Sequence, residues 1–135
     1  MDGAERVLIV GAMLNLLWGY VTGFFFAAAR ERSAFAPRYL VMVHVGSFLQ
    51  AGMLFGLVFA VRLSKLPASA ELGAALALVA SSLLIAAKDT IDWLQGVEDE
   101  FRERPVLPRL LANLGVAAAL PGFGILFAGV VSALL

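Results

Sequence analysis

The chain has 135 residues, 61% of them hydrophobic and only 15% charged, with a formal net charge of zero and no cysteine. Soluble domains average about 45–50% apolar and about 25% charged residues, and a fold of this size leaves roughly a third of its surface exposed, so the excess apolar surface requires lipid as its solvent. The charge balance offers no field for nucleic acid. The lack of cysteine excludes disulfides, thiolate metal sites and a cysteine nucleophile.

Four stretches reach the length of about 20 apolar residues that a bilayer-spanning helix needs. The first is predicted over 7–29, longer than the roughly 7–15-residue core of a signal peptide. It ends in Arg30-Glu31-Arg32 instead of a small-residue cleavage site, so it reads as a retained helix. The second covers 39–61. The third, 71–93, is apolar as far as Ala87 and then runs into Lys88-Asp89-Thr90-Ile91-Asp92-Trp93. The fourth, 110–135, contains Pro121-Gly122, which should kink or loosen it. Pro37, Pro67, Pro105 and Pro108 fall in the expected connections. The expected fold is therefore all-α, a single membrane domain over 1–135 built as a four-helix bundle.

Arg30, Arg32, Arg38, Lys88, Arg102, Arg104 and Arg109 lie towards the side holding loops 1–2 and 3–4, against Arg6, Arg62 and Lys65 on the other. The positive-inside rule then makes those two loops cytoplasmic; a bacterial inner membrane is the expected location. Arg30-Glu31-Arg32 followed by Pro37-Arg38, and Arg102-Glu103-Arg104 followed by Pro108-Arg109, suggest two duplicated hairpins, with chance similarity of charged loop ends as the alternative. Gly19-xxx-Gly23 and Gly52-xxx-Gly56 permit close helix contact, within the bundle or between protomers.

His44 is the one histidine, and it sits about five residues into the second helix, roughly 7–8 Å along the axis. Ionisable groups at that depth suggest function, and imidazole is a common ligand of metals and haem iron. The competing reading is a neutral histidine bonded to a neighbouring helix. One histidine cannot build a zinc site, but one proximal ligand suffices for haem. Gln50 follows six residues later, about 240° around the helix from His44; it, Asn15 and Asn113 read by default as interhelical hydrogen-bonding groups.

Lys88 and Asp92 can pair along the third helix. That end reads as solvated, unless Lys88 or Asp89 faces a cavity as a general acid or base. Glu98/Arg102 and Glu100/Arg104 suggest a wet helical extension with internal ion pairs. Tyr39 fits the interfacial belt, whereas Tyr20 is deep enough to serve as a proton donor. No Walker loop, dinucleotide fingerprint, HExxH or GxSxG occurs.

The stretch Arg38 to His44-x5-Gln50-Ala-Gly52, the pair Leu72-Gly73 and the region Ala119-Leu120-Pro121-Gly122-x-Gly124-x4-Gly129 resemble the styrene oxide isomerase family of small four-helix membrane enzymes. The resemblance is spread over most of the chain and implies haem b bound between the subunits of a homo-oligomer, a trimer. His44 would be the axial iron ligand, and ferric iron would act as Lewis acid on a lipophilic epoxide that opens to a carbonyl product. Gln50 stands where the family has asparagine, and Ala87 where it has a tyrosine. Gln50, Tyr20, Lys88 and Asp89 are then the candidate catalytic groups. Two other readings stay open: a non-enzymatic structural or assembly partner or small transporter subunit, and a haem bridged by His44 of two protomers for electron transfer.

Overall fold

The computed structural model describes residues 1–135 as five helices without a strand: α1 (Gly3–Arg32), α2 (Arg38–Leu63), α3 (Ala68–Leu94), α4 (Glu100–Glu103) and α5 (Val106–Leu134). Local chemistry sets where each begins. The Asp2 carboxylate accepts the backbone N–H of Glu5 at 2.9 Å and caps α1. Arg30 and Arg32 in the last turn of α1 complement its negative pole. Helices α2, α3 and α5 each start directly behind a proline, Pro37, Pro67 and Pro105.

The long helices all extend a few residues beyond the expected spans. The largest correction is α5, which begins at Val106, so Pro108 is helical and not part of the connection. A first-turn proline costs nothing there, because that N–H has no intrahelical acceptor anyway. Pro121 does not interrupt α5 either. The expected wet extension is one turn, α4, and its anticipated ion pairs do not form: Glu100 pairs with Lys88, and α4 is capped by Asp99, whose carboxylate accepts the N–H groups of Phe101 and Arg102.

Helix α3 is the central post. It packs on α1, α2 and α5, α1 pairs with α2, and α1 scarcely meets α5. Small residues let the axes approach: Ala12, Ala51, Ala74 and Ala75 are fully or almost fully buried beside Leu8, Leu54, Leu78 and Leu126. At Gly122 an added Cβ would lie 2.8 Å from Leu78 Cγ and 3.1 Å from the Ala74 carbonyl, so only glycine permits the α3–α5 contact as it stands. The Gly19-xxx-Gly23 pair serves packing within the bundle, whereas Gly52 and Gly56 have nothing within 4 Å.

Outward faces carry Tyr20, Phe24, Leu49, Phe59, Leu120 and Phe127, all about two-thirds exposed or more. Four helices are long and apolar enough to cross a membrane, and with this lipid-suited exterior the chain is an integral membrane protein. One end of the bundle holds the start of α1 and the end of α2, tied by a 2.7 Å ion pair between Glu5 and Arg62. The other end collects the α1–α2 loop, the end of α3, α4 and the start of α5. The two Arg-Glu-Arg segments occupy different settings: the first closes α1, the second spans α4 and the residue beyond it.

Candidate functional site

The α1–α2 seam holds His44. Two glycines of α1 one turn apart leave slots for two aromatic side chains of α2 that are also one turn apart. A Cβ on Gly19 would stand 3.0 Å from the Phe48 ring, and one on Gly23 would stand 2.7 Å from Cε1 of His44. The imidazole is flanked by Phe26, stacked nearly parallel with ring centres 5.5 Å apart, and by the edge-on ring of Phe48 at 5.3 Å. Its Nδ1 lies 2.8 Å from the Gly19 carbonyl oxygen. A carbonyl can only accept, so Nδ1 carries the proton and donates. Nε2 has no hydrogen-bond partner, and it is not among the side-chain atoms sealed from solvent. The Nε2 lone pair of this tautomer is therefore unpaired.

Tyr20 is joined to the same seam. Its ring meets Phe48 edge-on at 5.3 Å, while the residue is 70% exposed. Tyr20, Phe48, His44 and Phe26 thus form one chain of aromatic contacts along the seam. Phe48 was legible as the residue four positions after His44, on the same stripe; Phe26 carried no signal beyond being aromatic.

Lys88 and Asp89 form a second centre, and the expectation of a solvated helix end is overturned. The Lys88 ammonium is 3.1 Å from Asp89 Oδ1 and 3.2 Å from Asp92 Oδ2, and it also pairs with Glu100 of α4. The contact with Asp92 is an ion pair without hydrogen-bond alignment, and both Asp92 oxygens are buried without a hydrogen-bond donor. Lys88, Asp89 and Asp92 are all buried. The ammonium also lies 4.9 Å over the ring of Tyr39, a cation–π contact. The Tyr39 hydroxyl accepts the Glu100 N–H at 3.1 Å. Tyr39 is thus a buried packing element instead of an interfacial anchor, and this cluster straps α4 onto α2 and α3. Neither Tyr39 nor Glu100 was linked to Lys88 by spacing, because both come from other elements.

The remaining polar groups divide. Asn15 donates to the Gly11 carbonyl at 2.9 Å and to Ser82 Oγ at 3.1 Å, an α1–α3 tie of the expected kind. Gln50 is half-buried and its Oε1 has no donor; its 240° offset turns it away from the His44 seam. Asn113 forms no interhelical bond and is exposed on α5. No cluster of three potential metal-ligating side chains is present.

His44 lines none of the cavities of the single chain. The largest apolar one, about 430 Å³, lies between α1 and α3 and is bordered by Leu14, Leu17, Trp18, Leu83, Ala87 and Thr90. There Trp18 Nε1–H donates to Thr90 Oγ1 at 3.0 Å. Ala87 opens onto this groove.

No family model, curated protein or solved structure matches the chain.

Proposed function

We propose that the chain is a membrane-embedded, haem b-dependent isomerase that opens a lipophilic epoxide to a carbonyl product. The observation that carries the reading is the fixed tautomer of His44, with Nδ1–H held by the Gly19 carbonyl and Nε2 free. Ligating histidines characteristically donate their second ring N–H to a carbonyl or carboxylate, which orients the ring and raises its basicity. The parallel Phe26 ring restrains rotation of the imidazole. His44 would be the residue that holds haem iron through Nε2; ferric haem held there would supply a Lewis acid for the epoxide oxygen.

The other contributions come from this chain's own groups. Tyr20, joined to the seam through Phe48, offers a hydroxyl. The apolar setting keeps water from a reactive epoxide and its carbonyl product. Because no cavity of the single chain includes His44, the reading requires a second copy to complete the pocket, in a homo-oligomer such as the trimer. Gln50, on another face of α2, would border that pocket only where it spreads between protomers. Asp89 and Lys88, the latter also paired with Asp92 and Glu100, act in this reading as a structural strap and not as the acid–base pair. The excess of arginines at the α4 end favours a cytoplasmic position for that end, in a bacterial inner membrane.

An ultraviolet–visible spectrum of the detergent-purified protein, beside His44→Ala, tests the proposal. A Soret band in the parent and not in the variant, followed by conversion of an aryl epoxide to its aldehyde, is the expected result. A parent that stays colourless after haem is supplied would sink it. The Nδ1–Gly19 bond specifically favours one second reading, in which His44 merely ties α1 to α2 in a non-enzymatic membrane protein, a structural partner or small transporter subunit. Under that reading His44→Ala lowers stability and changes no spectrum.

A further inference from the structure

At the charged end of the bundle, α4 and the first turns of α5 enclose a hollow of about 460 Å³. Arg104, Arg109 and Asn113 line it, with Glu100 on its inner wall. Neither arginine has an ion-pair partner in the chain, and the Glu100 carboxylate is already committed to Lys88. Asn113 lies one turn along α5 from Arg109, exposed and without a hydrogen bond from any other residue. The sequence-related arginine of the first hairpin differs: Arg38 donates to the Glu98 carbonyl at 3.3 Å. Two guanidinium groups and an amide therefore line one space whose single carboxylate, Glu100, is already paired with Lys88.

The surroundings identify the counter-charge. Phe101, which also lines the hollow, is 80% exposed, and neighbouring Val106 is 85% exposed. Leu110 and Leu114 continue the apolar exposure along α5. A free aqueous anion gains nothing from this apolar border. A molecule with an anionic head and hydrocarbon tails uses both parts, and basic pockets at the ends of membrane helices suit anionic lipid head groups.

We propose that this hollow is a binding site for the phosphate of an anionic phospholipid. Arg104 and Arg109 pair with the phosphate oxygens, Asn113 donates from its amide, and an acyl chain lies along Leu110 and Leu114. Guanidinium groups suit this role because their planar donors meet phosphate oxygens two at a time. The assignment rests on α4 and α5 alone and is independent of His44.

The test is native mass spectrometry of the full chain released from vesicles of phosphatidylcholine containing phosphatidylglycerol. The parent should retain phosphatidylglycerol in preference to phosphatidylcholine. A charge-assisted hydrogen bond from a guanidinium to phosphate is worth about tenfold, so Arg104→Gln/Arg109→Gln should lower retention about a hundredfold. Arg30→Gln/Arg32→Gln removes the same charge from the same end and should leave retention unchanged. Circular dichroism checks that both double variants keep the parent's helix content. Equal losses in the two variants would mean diffuse attraction only and overturn the site. So would undiminished retention in Arg104→Gln/Arg109→Gln, or displacement of the lipid by inorganic phosphate at equal concentration.

Discussion

The imidazole of His44 occupies the volume that a side chain on Gly23 would need, its Cε1 lying 2.7 Å from where that Cβ would be. Gly23→Ala should therefore push the ring out of the seam and strain its bond to Gly19. Overpacking of this kind costs about 1–3 kcal/mol. The expected outcome is a lower thermal midpoint in detergent and, under the proposed function, loss of the Soret band expected of the parent with haem. Gly52→Ala, at an open position of α2, should change neither.

Removal of Lys88 should be among the most damaging single changes. Its ammonium answers Asp89, Asp92 and Glu100, two of them buried in α3. Lys88→Met leaves buried carboxylates without their cation, which costs about 3–5 kcal/mol. Adding Asp92→Leu to Lys88→Met should recover part of the loss. Unfolding midpoints in a denaturing detergent titration measure both.

The Asn15–Ser82 bond ties α1 to α3 inside the membrane. Interhelical side-chain bonds in bilayers average about 0.6 kcal/mol of coupling. A double-mutant cycle of Asn15→Ala and Ser82→Ala should give a coupling of that order. A value near zero would assign the tie no energetic role.

The loop before α4 should respond to acid. Glu103 accepts the backbone N–H groups of Asp99 and Glu98 at 2.9 and 2.8 Å, which holds its carboxyl below the usual glutamate range. The stabilisation is present above the unfolded value and is lost as pH falls through the lower folded value. Amide exchange at Glu98 and Asp99 should accelerate in that acid window in the parent. In Glu103→Ala it should be fast throughout, with only the intrinsic pH dependence of exchange.

The apolar runs and the prolines made the four spanning helices legible, and the depth of His44 singled it out before any neighbour was known. Its setting was less legible. Gly19-xxx-Gly23 announced a close approach without saying that Phe48 and His44 would fill the slots. The Lys88 strap was missed because the i, i+4 rule sees only Asp92, whereas Tyr39 and Glu100 arrive from other elements. Asn113 was misjudged because a polar residue in an apolar run reads as facing inward, and its side chain faces the hollow beside Arg109. The extra first turn of α5 was hidden by Pro108, which punctuates a sequence but is tolerated at the start of a helix.

The central position of α3 has a consequence for biogenesis. Helices α1 and α2 leave the ribosome before the post on which they close, so Asn15 must wait in the bilayer for Ser82. Lys88 in turn emerges from the ribosome before Glu100 does. The first hairpin is thus an incomplete assembly with exposed polar groups until α3 arrives, and the strap fastens after α4 has emerged.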